Sequence, residues 1–521
     1  AYALAPRPMT PPHDPAPRRG LVLVAMTGSL SMIFVDITVV GIALPEIGGD
    51  LGLDEAGVNW VVNAYMLALA ATMAIGGRLG DLFGKVRAFA IGVALFALAS
   101  ALCGFATTGT MLLAGRVGQG LAASLMQPAS SSLVIEHFAP GERGKAMAVY
   151  VGIPMLFMSL GPALGGLIAQ SIGWPWVFWI NLPVAAATLL LLKAAKPRSP
   201  RSENRAIDWL GAAILLAGLP LVVWAIQEAG TVSDDGSPRA FALPVVGAFV
   251  AGAVLIALFV RRQLRIEQPL LRLRLFADRQ LLSNAILIGL TQLSMAALVV
   301  QGSLYVQRVL GLSPLRAGLS MLPLMLPILV LVHVSGRRYD RVGVRPVATF
   351  GTLAATIGLV VQGFGFLTEQ YIPIAIGLAI LGAGIAFIMS PANTDALSRA
   401  SNETRGQISG LVQTFRQLGG TIGVAVAAAI SIAVQGPEAE LALRRAERPA
   451  ESIVADTPVP ASDSAAAPAL EAARHAFARG TAYATFAGAG AVLCGFVVAR
   501  RMRPGPPPGH TSSDAATEAT P

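Results

Sequence analysis

Long apolar runs recur along this chain, separated by short stretches of basic or acidic residues. A helix needs about 20 apolar residues to cross a bilayer. By that measure the spacing predicts fourteen membrane-spanning helices. They fall at approximately 21–47, 57–79, 87–107, 110–135, 146–170, 174–193, 208–227, 240–260, 281–307, 314–335, 346–367, 371–392, 407–433 and 477–499. Apolar runs of this length make the expected fold class an all-α polytopic membrane protein.

The connecting loops orient these spans. One set is basic: Lys85 and Arg87; Arg143 and Lys145; Lys193 to Arg205; Arg261 to Arg279; and Arg337 to Arg345. The opposite set is acidic or neutral, with Asp50, Asp54 and Glu55 after the first span and Asp234 and Asp235 after the seventh. Because basic loops stay in the cytoplasm, both termini are expected there. The segment 434–476 fits least well. It carries Arg444, Arg445 and Arg448 on the supposed outer side, although loops of that length constrain orientation weakly.

Composition agrees with the pattern. Hydrophobic residues make up 54% of the chain and charged residues 13%, about half the charge of soluble domains. A net charge of +9 is accounted for by cytoplasmic loops facing anionic headgroups, so no nucleic-acid partner is expected. Cys103 and Cys494 each lie inside an apolar run and read as packed thiols, and the five histidines have no metal-ligand spacing. There is no phosphate-binding glycine loop, so no cofactor and no direct ATP drive are expected. Residues 1–20 and 501–521 read as disordered cytoplasmic ends. The first apolar run is too long for a cleaved signal core.

The chain also repeats itself. GRLGDLFGKVR starts at Gly77 and GRRYDRVGVR at Gly336, so Gly77, Arg78, Asp81 and Gly84 recur as Gly336, Arg337, Asp340 and Gly343. Lys85 and Arg87 complete the first loop. Each copy follows the second span of a six-span set. This divides the chain into an N-terminal bundle at 21–193, a linker with two extra spans at 194–280 and a C-terminal bundle at 281–500. Parallel repeats of this kind are a transporter plan.

Two charges lie deep within spans. Asp36 is the only acid well inside any of them, and Arg116 lies in the fourth. By position along their helices, at about 1.5 Å per residue, their depths differ by roughly 8 Å, within an arginine's reach. Such charges usually find a partner. The pair is either a static structural bridge or a carboxylate that alternately binds a proton and pairs with Arg116. Asp81 is positioned to cap the third helix and to meet neighbouring arginines, a contact that can latch one conformation. In the fifth span Gly161, Pro162, Gly165 and Gly166 allow a kink and close helix approach, or packing alone. Asn63, Tyr65, Gln127, Asn181, Gln292, Gln301 and Gln307 are polar residues that can line a cavity or bond between helices.

At these residues the chain resembles the major facilitator superfamily, and within it the fourteen-span drug:proton antiporters. VDITVVGIALPEI from Val35 resembles the family's first-helix segment, where Asp36 falls on its proton-coupling carboxylate. The Gly77 loop, RVGQG from Arg116, GPALGG from Gly161, WPWVFWINLP from Trp174 and SGLVQTFRQLGGTIG from Ser409 match in place. The resemblance implies two six-helix bundles around a central cavity plus two extra helices. It implies a monomer that exchanges protons for small lipophilic drugs or antibiotics across a bacterial cytoplasmic membrane, in contact with lipid and driven by the proton gradient rather than by a cofactor. It implies no enzymatic activity. An importer on the same fold and a non-transporting sensor or scaffold are the alternatives. GPALGG argues against the first and the paired charges against the second. The tenth and thirteenth spans carry no acid, so strongly dicationic substrates are disfavoured and a charge-poor cavity for neutral, zwitterionic or singly cationic compounds is expected. The heavy use of Ala, Gly and Arg fits a GC-rich genome and self-resistance in an antibiotic-producing actinomycete.

Overall fold

The computed structural model describes residues 18–199, 208–229, 242–401, 404–436 and 466–504, with Arg239 added and Asp54, Gln268, Arg272 and Ser313 left out. The ends expected to be disordered, the acids Asp234 and Asp235, and most of the 434–476 loop lie outside the described residues.

Among the described residues the chain forms helical rods and no strands. They are α1 (Arg19–Leu51), α2 (Glu55–Phe83), α3 (Lys85–Gly104), α4 (Gly109–His137) and α5 (Arg143–Ile172). Then come α6, in the two pieces Pro175–Trp179 and Asn181–Ala195, α7 (Trp209–Ala229) and α8 (Leu243–Arg265). The remainder are α9 (Arg279–Arg308), α10 in the pieces Pro314–Leu319 and Leu322–Val342, α11 (Val344–Leu367), α12 (Tyr371–Ser398), α13 (Arg405–Gln435) and α14 (Ala466–Arg500). Each expected span has its rod. Among the described residues twelve helices are long and apolar enough to cross a membrane. The two rods outside that set are α4 and α5. α4 spans 29 residues but carries Arg116, Gln119, Gln127 and three consecutive serines, which lower its hydropathy. α5 spans 30 residues and packs along α1 and α10.

The rods pack as two groups. α1 lies along α5, α2 and α3 along α4, and α6 against α1 and α3; in the second group α9 lies along α13 and α14, and α11 along α12 and α14. The groups meet where α2 packs on α13 and α5 on α10. α7 and α8 form a hairpin beside them. α7 covers the α2–α13 seam, placing Leu215, Leu219 and Val223 in one buried cluster with Ala74 of α2 and Leu411 of α13. α8 is the least buried of the apolar rods. Asp208 ties the hairpin together, accepting hydrogen bonds from Arg262 (2.8 Å) and Gln263 (2.8 Å) of α8.

The repeated residues do matching work. Gly84 and Gly343 end α2 and α10 with φ of 93° and 78°, a conformation that disfavours side chains. At Gly77 an added Cβ would collide with the Gly406 carbonyl, and at Gly336 with that of Gly144. These glycines let the two groups touch backbone to backbone. The arginines differ: Arg78 is buried and Arg337 exposed.

Candidate functional site

Three arrangements stand out: a buried ion pair in the first group, a cavity between the groups, and a seal below the cavity.

The ion pair joins α1 to α4. Arg116 Nη1 donates to Asp36 Oδ2 at 2.5 Å, and both side chains are fully buried. The carboxylate's other oxygen accepts from Gln119 Nε2 at 3.0 Å and Asn181 Nδ2 at 3.2 Å. Ser100 Oγ accepts from the same two amides and fixes their rotamers. Arg116 donates from Nε to the Val61 carbonyl at 2.8 Å, and its guanidinium lies 4.5 Å from the Tyr65 ring centre. Among the described residues the Tyr65 hydroxyl and Arg116 Nη2 have no hydrogen-bond partner. Cys103 closes the base of the site, its Sγ 3.6 Å from Gln119 Oε1; Cys494, expected to be packed, is exposed on α14. A carboxylate held by one cation and two amides can lose the cation on protonation while keeping the amides, which is what a proton-exchanging site needs.

α5 presses against this site. A Cβ at Gly161 would collide with the Thr38 side chain, and one at Gly165 would meet Val39 backbone atoms. The glycine spacing therefore holds α5 against α1 two residues from Asp36. The helix is continuous from Arg143 to Ile172; the surroundings of Pro162 and Gly166 lie outside the described set.

The cavity occupies ≈ 570 Å³ between the two groups. Phe34, Thr38, Met66, Met73, Met155, Met158, Met295, Met321 and Met325 form much of its wall. Methionine is flexible and polarizable and adapts to varied apolar surfaces. Asn63, Gln127 and Gln292 supply polar atoms there, together with Gln413 and Gln417. The other polar residues singled out in the sequence lie elsewhere. Tyr65 and Asn181 belong to the Asp36 site. Gln301 lines a minor crevice among α9, α11, α13 and α14. Gln307 bonds back to Ser303 on its own helix. Asp36 itself does not line the cavity; Ile33, Phe34 and Thr38 present that face of α1.

The cavity wall also contains Arg416, which the sequence reading passed over. The expected charge-poor cavity thus carries one cation and, among its described lining residues, no acid. α13 carries no acid. An arginine 11 residues inside an apolar helix was the available signal.

The seal lies at the end that carries the repeated loops. Asp81, expected to cap α3, instead caps α13: its carboxylate accepts from Gly406 N at 2.9 Å and Gln407 N at 2.8 Å. The residue before α3 is Gly84, with no side-chain cap. The reason is direction. Asp81 is in the last turn of α2 and faces the other group, where the free amides of α13 begin. Asp340 of α10 repeats the contact, accepting from Gly144 N of α5 at 3.1 Å. Lys85 bridges Asp81 (3.2 Å) and Glu136 (2.9 Å), and Glu136 also pairs with Arg405 at 3.4 Å. Ser131 and Ser409 hydroxyls meet at 2.6 Å just above. Arg87 is exposed at the start of α3.

Comparison with known proteins agrees with this architecture. A family model described as Major Facilitator Superfamily matches residues 26–424. The chain is 33% identical over 425 residues to the puromycin resistance protein pur8 of Streptomyces alboniger, covering 80% of this chain and 83% of that one. It is 32% identical over 416 residues to the tetracenomycin C resistance and export protein of Streptomyces glaucescens, covering 78% and 74%. Its fold matches a double-tryptophan mutant of XylE with a TM-score of 0.62 at 16% identity, over 94% of this chain and 96% of that chain.

Proposed function

The chain belongs to the major facilitator superfamily, and on that premise we propose that it exports small lipophilic compounds, antibiotics among them, in exchange for protons. It works as a monomer in the bacterial cytoplasmic membrane, with both termini inside and no cofactor. The cavity lies within one chain, and the basic loops are on the side of the seal. In this orientation the seal is cytoplasmic and the cavity faces outward. A compound enters from the cytoplasm or inner leaflet when the seal opens, and leaves in the closed-seal state described here.

The single observation that carries the proton step is the environment of Asp36. Among the described residues it is the only acid buried amid apolar rods away from their ends, and its partner is a cation on a different helix. A proton arriving from outside neutralises the carboxylate and frees Arg116 to keep only Val61 and Gln119. That change alters how α1 sits against α4, next to the α5 contact at Gly161. One proton crossing 100 mV supplies about 2.3 kcal/mol, enough for roughly tenfold accumulation or more.

The test is Asp36→Asn in inverted vesicles, with ΔpH-driven uptake and substrate-induced proton release as readouts. Asparagine preserves shape and hydrogen bonding but cannot exchange a proton. Proton-driven accumulation should vanish while substrate binding and downhill exchange persist. Wild-type coupling in this variant would make the Asp36–Arg116 bridge purely structural.

A further inference from the structure

Several buried cations among the described residues pair with acids. Arg116 has Asp36, Lys85 has Asp81 and Glu136, and Arg405 has Glu136. Arg416 differs. Among the described residues it is the only charged one lining the cavity. No ion pair to it occurs among the described residues. Its partners are neutral: Nε donates to Gln292 Oε1 at 3.3 Å, and the guanidinium lies 5.3 Å from the Phe34 ring centre. A charge this deep in an apolar bundle is costly without a counter-charge. A helix-packing role would be met by a neutral amide, which could bond Gln292 at far lower cost.

From this we infer that Arg416 is the anion-binding group of the cavity, and that the transported compounds include lipophilic organic acids whose carboxylate, or a comparable anionic oxygen, pairs with it. This deepens the export reading and rests on it for the word transported; the binding claim stands alone. Of the α13 residues that line the cavity, Gln413, Arg416 and Gln417 are the nearest to the start of the helix at the seal. The guanidinium fork fits a carboxylate with two parallel hydrogen bonds. In the same wall, methionines and Phe34 accept an apolar body. The Asp36 carboxylate does not compete, because it is on the other face of α1 and already held by Arg116. The charge also disfavours cations beside it, the reverse of the sequence-based expectation that single cations fit.

The test uses purified protein in neutral detergent with no gradient. The probes are anthracene-9-carboxylate, its methyl ester and ethidium, and binding is followed by fluorescence. The wild type should bind the carboxylate roughly tenfold or more tighter than the ester. Arg416→Gln should lower carboxylate affinity to about that of the ester, with ester binding unchanged. Arg416→Lys keeps the charge but loses the fork, and should retain an intermediate preference. Equal wild-type affinity for acid and ester would overturn the assignment. So would an Arg416→Gln variant that weakens both alike. If that variant does not fold, the wild-type ratio and Arg416→Lys decide. Because no proton gradient is present, acid-selective binding together with failed ΔpH-driven transport would count against proton coupling alone.

Discussion

Asp81 accepts the backbone amide of Gly406 at 2.9 Å, across 325 residues of sequence. The carboxylate belongs to one group of helices and the amide opens a helix of the other. Asp340 and Gly144 repeat the relationship in reverse. The seal is thus two helix N-termini, each capped by an acid from the opposite half, where the helix dipole favours negative charge. Opening the seal breaks both at once.

Asp81→Asn keeps one amide-oxygen acceptor but loses the charge. A hydrogen bond to a charged group contributes about 1.5–3 kcal/mol, so the closed-seal state should lose roughly tenfold or more in population. The protein should express and insert normally, and transport should slow because the return step lacks its latch. Alkylation of a cysteine placed at Ser409 should rise correspondingly. Unchanged labelling and transport would remove Asp81 from the latch.

Arg116→Lys tests whether geometry or charge holds the proton site. Lysine is a point charge and cannot reach Asp36, Gln119 and the Val61 carbonyl together as the guanidinium does. It also loses the guanidinium contact with the Tyr65 ring. The expected result is a protein destabilised by about 1–3 kcal/mol, seen as a lower melting temperature in detergent, with weakened proton coupling. A wild-type melt and full coupling would show that charge alone suffices.

The α7–α8 hairpin should be insensitive to pH through the neutral range. Burial pushes the Asp208 carboxyl up, but hydrogen bonds from Arg262, the Gly211 amide and Gln263 outweigh it and hold the group below the usual aspartate value. A lowered folded value means the stabilisation is complete above about pH 3.9, the ordinary aspartate value, and is lost only as pH falls through the lower folded value. Hydrogen exchange at the start of α7 should therefore be flat from pH 5 to 8 once corrected for intrinsic rate. Asp208→Asn should raise it at every pH. A protection step between pH 5 and 7 would contradict the assignment.

Much of this molecule is legible in its sequence, and the reason is the bilayer. Hydrocarbon thickness fixes span length, so apolar runs locate the rods within a few residues. The repeated Gly77 and Gly336 loops announced two related halves, and the scarcity of buried charge drew attention to Asp36 and Arg116. Which groups meet was another matter. The Asp36–Arg116 bridge was within reach of a depth estimate, but its amide clamp from Gln119 and Asn181 was not. The capping of α13 by Asp81, the Glu136 link from Lys85 to Arg405, and the placing of Arg416 without an acid beside the cavity came from the tertiary structure alone. Hydropathy is a local sum over about one helix length, whereas these contacts join residues far apart in the chain. They depend on how each rod is rotated about its own axis. Only the packing of small residues such as Gly77 on Gly406 and Gly161 on Thr38 sets that rotation.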